Sequence, residues 1–213
     1  MINIDQAVTI FGRSFSSDCA HPLVKTIKEY EINPSVDYRD TTLYRYHSKF
    51  KPKNTNAALG IKEELDNLPL FQYPWGAFRL NYKGDKNQFI SRFCGPSADE
   101  MVADEFHSTI ALYMDIKNNG YKLIRKKSII GGTFLVKENG EKKFVVLQGN
   151  HRMSILSALG YKNILVNTMA GYQEYIREES LKNWVNVDEG CCSSIISREI
   201  FHAFFNSKNN VEY

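Results

Sequence analysis

Few cysteines are present, and no pattern links them. Cys19, Cys94, Cys191 and Cys192 include no Cys-x-x-Cys pair, so neither a dithiol redox centre nor a cysteine zinc knuckle is encoded. Adjacent Cys191 and Cys192 read as free thiols of a reducing compartment, which predicts a cytoplasmic protein. The five histidines, His21, His47, His107, His151 and His202, show no His-Glu-x-x-His or Cys/His spacing, so no structural zinc site is expected. No apolar run approaches the ~20 residues of a membrane helix, and Met1–Gln6 has no basic segment leading into an apolar one. Neither a membrane anchor nor a secretory signal is therefore expected. An excess of one charge is also missing. With 27 basic and 24 acidic residues the net charge is +3, too little to imply nucleic-acid binding by itself. Proline is almost confined to one end: Pro22, Pro34, Pro52, Pro69 and Pro74 precede residue 75, and only Pro96 follows.

What is there is an ordinary globular composition, 43% hydrophobic and 24% charged over 213 residues. A chain of this length buries roughly two-thirds of its unfolded surface, and one domain is expected. Aromatic residues reach 13%, with 12 Tyr and 13 Phe. Many lie before residue 83 in a proline-broken region. Helices are predicted there at Leu23–Tyr30 and Ala57–Asn67, and strands at Ala77–Tyr82 and Gln88–Phe93 on either side of a turn at Gly84-Asp85. This region reads as an aromatic wall or lid over a site elsewhere.

Clearer signals follow. Pro96 precedes Ser97-Ala98-Asp99-Glu100, a capping-box pattern. Met101, Val102, Phe106, Ile110, Tyr113 and Met114 recur at helical spacing, and Asn118-Asn119-Gly120 supplies a stop. A helix over Ala98–Asn118 is predicted. Thr133–Val136 and Phe144–Leu147 form a predicted hairpin through Asn139-Gly140, a type I′ turn signal. Phe144-Val145-Val146-Leu147 does not alternate, so it reads as a central strand buried on both faces. A helix from Asn150 to Leu159, a stop at Gly160 and a strand at Asn163–Val166 complete a βαβ-type unit. A last helix is predicted over Ser193–Phe205.

The chemistry concentrates between Phe144 and Val166. A buried strand delivers the chain to Gly149, where backbone can approach a ligand closely. The helix that begins there presents unpaired N–H groups and the positive end of its dipole, an anion site before any side chain is counted. His151 and Arg152 add donors in the first turn, where acidic side chains would normally be preferred. Such a local conflict marks a functional position.

Leu147-Gln148-Gly149-Asn150-His151-Arg152, with Ile155-Leu156, Leu159-Gly160-Tyr161 and Ile164-Leu165-Val166, resembles the Gly-x-His-Arg core of the ParB/sulfiredoxin superfamily. The match covers about 25 residues, or about 40 with the preceding hairpin. The resemblance implies a nucleoside polyphosphate, ATP or another, with Mg²⁺, its phosphates contacted by Gly149, His151 and Arg152. Flanking Gln148 and Asn150 belong to the same expected binding turn. Three departures separate the chain from the superfamily's branches. Sulfiredoxins place their cysteine where Asn150 stands. The serine kinases carry an acidic residue where Gln148 stands. ParB proteins continue into a helix-turn-helix module, whereas the 61 residues after Arg152 show no recognition-helix pattern.

Other positions carry alternatives. Ser97 either caps its helix or forms a second anion site. Glu105 is either a solvated helix charge or the base or metal ligand that Gln148 cannot be. Arg79 and Arg92, on predicted strands, are surface salt-bridge partners or ligand contacts. Asp37 to Lys53 interleaves Tyr38, Tyr44, Tyr46 and Phe50 with Arg39, Arg45, Lys49, Lys51 and Lys53. It reads as a basic-faced edge strand or a lid, with single-stranded nucleic acid as the alternative partner.

The resulting expectation is an α/β or α+β domain with a small mixed sheet. It divides into an aromatic-rich region 1–96, a ParB/sulfiredoxin-like core 97–170 and a helical segment 171–213. The expected function is nucleotide-dependent phosphoryl transfer to a small polar molecule, as an ATP-dependent kinase or a nucleotide hydrolase. A non-enzymatic ParB-like binding module is the alternative.

Overall fold

Phe144, Val145, Val146 and Leu147 offer no polar position, and all four are at most 2% exposed. Fully burying each such side chain contributes roughly 1.5–3 kcal/mol. They can all be buried because their strand is flanked on both edges and covered on both faces. The computed structural model describes residues 1–16, 18, 21–62, 67–77, 90–122 and 129–206. Along them run β1 (Ile2–Asn3), β2 (Ala7–Val8), α1 (Pro22–Ile32), α2 (Thr42–Lys49), α3 (Thr55–Ala58), β3 (Gln72–Tyr73), β4 (Gly76–Ala77) and α4 (Asp99–Asn119). Then come β5 (Ile130–Val136), β6 (Lys142–Gln148), α5 (Asn150–Ala158), β7 (Asn163–Ile164), β8 (Val166–Thr168), β9 (Tyr175–Arg177), α6 (Val185–Asp188) and α7 (Ser194–Ala203).

The fold is α+β with a small mixed sheet. Its order is β2-β6-β5-β8, and β9 pairs with the other end of β5. β6 is parallel to β2 and antiparallel to β5, while β8 and β9 are parallel to β5. The period-2 pleat of β6 divides its side chains between two cores. Phe144 and Val146 join Met153, Ile155 and Leu156 of α5, Tyr113 and Ile116 of α4 and Ile27 of α1. Val145 and Leu147 join a second core with Phe11, Tyr46, Phe50, Trp184 and Phe201. β2 pairs with β6, so Ala7 and Val8 belong to the central sheet, while β1 forms a separate two-stranded sheet with β7. A boundary at residue 96 therefore cuts through one sheet.

Several elements differ from the sequence reading. The hairpin connection is not type I′, which needs positive φ at both central residues. Only Gly140 is left-handed there, at φ 84°. Asn139 instead accepts the Glu141 N–H on its side chain at 2.9 Å. The unit around α5 is not a parallel βαβ. The strand after α5 breaks into β7, which reaches back to β1, and β8, which joins β5 and so runs opposite to β6. Residues 90–91 are helical, not a strand. The strand predicted at Ala77–Tyr82 keeps only Ala77, in β4; Gly84-Asp85 and residues 78–82 and 88–89 lie outside the described residues.

Residues 38–49 form a 3₁₀ turn and α2 in place of an edge strand. Thr41 caps α2, and the Glu29 carboxylate accepts the Thr42 N–H at 2.8 Å. Leu43, Tyr46, His47 and Phe50 are buried at helical spacing. The period was helical, and the alternating charges hid it. Of the aromatic residues expected to form a lid, Tyr73 and Trp75 instead pack in the core. Trp75 lies 5.3 Å from Trp184 and 6.0 Å from Phe201 between ring centroids. The predicted helix Ala57–Asn67 is confined to α3 among the described residues, with 63–66 outside them. No helix among the described residues is long and apolar enough to cross a membrane.

Candidate functional site

β6 ends at Gln148, and Gly149 turns the chain into α5 with φ 93° and ψ 27°. A side chain there would be strained by φ, and its Cβ would lie 3.1 Å from Ile130 Cγ1 on β5. No side chain caps α5, and no acidic residue occupies its first turn. The first intrahelical bond is Met153 N–H to the Gly149 carbonyl at 2.9 Å. The N–H groups of Asn150, His151 and Arg152 therefore precede the helical ladder and face outward with the positive dipole end. Asn150 Oδ1 is buried beside them, with no hydrogen-bond partner among the described residues.

The turn opens on a cleft of about 520 Å³. Gln148, Gly149, Asn150 and His151 form its floor. Thr9–Phe11 and Arg13 of the loop after β2 line one wall, with His21, Pro22 and Leu23 at the start of α1. Leu43, Tyr46 and His47 of α2 line another, beside Arg92, Phe93 and Glu105, and Met169 and Tyr172 complete it. Among the described lining residues the cations Arg13 and Arg92 and the imidazoles of His21, His47 and His151 surround one carboxylate, Glu105.

His151 and Glu105 meet directly. Nε2 of His151 lies 2.7 Å from Oε1 of Glu105, and the two side chains are 38% and 32% exposed. Burial works to raise the Glu105 carboxyl, but the His151 hydrogen bond and the charges of His151, His47 and Arg92 outweigh it and hold Glu105 below the ordinary carboxylate range. Glu105 is thus ionised near neutral pH.

Arg13 is 5% exposed. Its guanidinium lies 4.3 Å from the Phe50 ring centroid and 5.2 Å from that of Tyr46, a cation held over aromatic faces. His21, 4% exposed, stacks on Phe15 at 4.4 Å. Burial first, then the charges of Arg13 and His151, push its imidazole down to about 3, so it rests neutral. His47 is also lowered by burial, with Glu105 opposing. Its Nδ1 lies 2.8 Å from Ser97 Oγ, which itself donates to the Ser91 carbonyl at 2.8 Å.

The expected site residues are only partly brought together. Gln148, Gly149, Asn150, His151 and Glu105 line the cleft. Ser97 does not: α4 begins at Asp99 with Ala98 as an N-cap that has no side-chain bond, because the Ser97 hydroxyl is turned to His47 and Ser91. Arg152 lines a second cleft of about 720 Å³ on the other side of the turn, with Asp115, Tyr121 and Lys122. Successive first-turn residues point to different sides of a helix, and Gly149 and His151 border both clefts. Arg92 reaches the main cleft; Arg79 lies outside the described residues.

Sequence reasoning missed Arg13, His21 and His47. A signal existed for two of them. Gly12-Arg13 follows the apolar Ala7-Val8 in the same strand–glycine–arginine order as β6 and the Gly149 turn, with Gly12 at φ 70°. His47 is the polar member of a buried helical stripe.

The donor set does not fit a metal held by protein alone. Among the described residues no three His, Cys, Asp or Glu side chains cluster, and Glu105 is already engaged. A divalent ion here would need oxygen ligands from a bound phosphate. Compared with protein-family models, with curated proteins and with solved structures, the chain matches none.

Proposed function

We propose that the cleft binds a nucleoside polyphosphate, ATP or a relative, and that the protein moves its terminal phosphoryl group to water or a small polar acceptor. The observation that carries this reading is the meeting of an uncapped helix N-terminus with Arg13, Arg92 and His151 in a cleft with a single described carboxylate. Such a set favours a compact polyanion. Phe11, Tyr46, Phe93 and Tyr172 on the other walls suit a flat base. The resemblance of Gly149-Asn150-His151-Arg152 to the ParB/sulfiredoxin superfamily supports the same ligand class.

In this reading the N–H groups of Asn150 and His151, with the His151 and Arg13 side chains, hold phosphate oxygens. Glu105 orients His151 and keeps its outward edge available. Mg²⁺ would arrive on the phosphates and supply charge neutralisation. Positioning and charge are the protein's main contributions to such a transfer. No observation favours the nucleic-acid alternative. Arg39 pairs with Asp99 at 2.8 Å and Arg45 with Glu29 at 2.9 Å, and Tyr46 and Phe50 are buried.

Thermal unfolding in the presence of ATP, ADP, CTP and GTP, each with and without Mg²⁺, tests the proposal. A shift of several degrees with at least one triphosphate, lost in His151→Ala, is expected. No shift with any nucleotide overturns it.

A further inference from the structure

Residues 90–97 are fastened to the end of α2 at several points. The Tyr46 hydroxyl donates to the Phe93 carbonyl, and Gly95 N–H donates to the Phe50 carbonyl at 2.8 Å. Gly95 packs so closely that a Cβ there would lie 1.7 Å from the His47 carbonyl oxygen. Ser97 Oγ then meets His47 Nδ1 at 2.8 Å. This fastening decides where a proton sits. A serine hydroxyl carries one hydrogen, and Ser97 gives it to the Ser91 carbonyl, which can only accept. Ser97 Oγ is therefore the acceptor towards His47, and Nδ1 of His47 carries the hydrogen. In neutral His47 the lone pair then lies on Nε2. His47 is 4% exposed and lines the main cleft. Its Nε2 makes no hydrogen bond among the described residues. Nδ1 is turned away to Ser97, which does not line the cleft, so Nε2 is the nitrogen left for a ligand.

We infer that His47 is the proton acceptor of this site, fixed by Ser97 in the Nδ1–H tautomer so that Nε2 takes the proton from the hydroxyl that attacks the terminal phosphorus. The inference rests on the nucleotide reading above and adds a catalytic residue to it. In the step, a lone pair of the attacking oxygen forms the new O–P bond. The bond from phosphorus to the bridging oxygen breaks, and its electron pair leaves with the nucleoside diphosphate. The attacking group's proton passes to His47 Nε2. Glu105, whose carboxylate interacts with His47 as well as His151, stabilises the imidazolium, which returns its proton to solvent after product release. Burial keeps His47 neutral at rest, as a general base must be. Ser97 is a positioning residue: it touches no reactant and acts through His47.

Long-range ¹H–¹⁵N spectra of the wild-type protein read the tautomer directly and need no ligand. Hydrogen on Nδ1 of His47 is expected in wild type, a mixture in Ser97→Ala, and recovery in Ser97→Thr. Hydrogen on Nε2 in wild type overturns the inference. Phosphate release from ATP, CTP and GTP with Mg²⁺ in water is the second measurement, because a base that activates an alcohol also activates water. His47→Gln should lower release by about 100-fold or more while its nucleotide-induced thermal shift stays near wild type. Binding without release in wild type, or release unchanged in His47→Gln, overturns the role of His47 and leaves the nucleotide reading standing. No binding of any nucleotide to wild type removes both.

Discussion

His21 makes stability depend on pH from 6.5 downward, a window that opens above the carboxylate range. Its imidazole ordinarily titrates at 6.5 and in the folded protein at about 3. Burial against Phe15 is the first cause, and the charges of Arg13 and His151 add to it. The unfolded chain binds a proton at this residue below 6.5, while the folded one does so only near 3. Stability is therefore fully present above pH 6.5 and is lost progressively as pH falls towards 3. Each pH unit in the window costs about 1.4 kcal/mol. The loss is about 2 kcal/mol by pH 5, towards a ceiling of about 5 kcal/mol. His21→Phe keeps a ring against Phe15 and removes the titration. Urea unfolding of both proteins at pH 7.0, 6.0 and 5.0 gives the comparison. The difference in unfolding free energy between wild type and His21→Phe should fall by about 2 kcal/mol over that range. His47, also lowered, titrates in both proteins and cancels. The depressed carboxyls Glu105 and Glu178 lose their contributions only below their ordinary 4.5. Parallel pH dependences would refute the burial of a neutral His21.

Two glycines carry sharp steric predictions. Gly95→Ala places a methyl 1.7 Å from the His47 carbonyl oxygen, so the fastening of 90–97 onto α2 must open; a loss of about 3 kcal/mol or more is expected in urea unfolding. Gly149→Ala meets both φ 93° and Ile130 at 3.1 Å. It should cost about 1–3 kcal/mol and shrink any nucleotide-induced thermal shift, which a silent replacement would contradict.

The parts of the fold that were legible in the sequence are those where one period dominates. Phe144–Leu147 has no polar residue to place outside, so a central strand was its only solution, and α4 carries its stripe from Val102 to Ile116, about four turns. Residues 37–53 misled because alternation of aromatic and basic residues satisfies a strand period, while the buried set Leu43, Tyr46, His47 and Phe50 satisfies a helical one. What decided between them was the capping of α2 by Thr41 and by Glu29, a residue on another helix. The candidate site was legible where it is local, at Gly149-Asn150-His151. Glu105 stood open between a solvated helix charge and a base or metal ligand, and only the packing of α4 beside α5 brings it to His151. Arg13, His21 and His47 come from three separated segments. No local pattern announces that a long-range fold will bring such residues to one cleft.

Arg152 is where family resemblance and geometry give different answers. By resemblance it would grip phosphates together with His151. In the structure it lines the second cleft, and its Nε lies 3.6 Å from where a Gly149 Cβ would stand, folded over the back of the turn. A charge-assisted hydrogen bond to a bound phosphate is worth about 1.5–3 kcal/mol, or roughly 10- to 150-fold in affinity. A solvent-screened charge acting from behind the turn is worth under about 1 kcal/mol, less than roughly fivefold. Titration calorimetry with the triphosphate that gives the largest thermal shift separates the two. Arg152→Ala should weaken binding less than about fivefold, and His151→Ala more than about tenfold. Removing Arg152 takes away no floor of the main cleft, so a small loss cannot be blamed on collapse there. A loss in Arg152→Ala equal to that in His151→Ala would mean that the phosphates lie across the turn instead of within the main cleft. The His47 edge would then face no reacting atom, and the second cleft, with Asp115, Tyr121 and Lys122, would become the site to dissect.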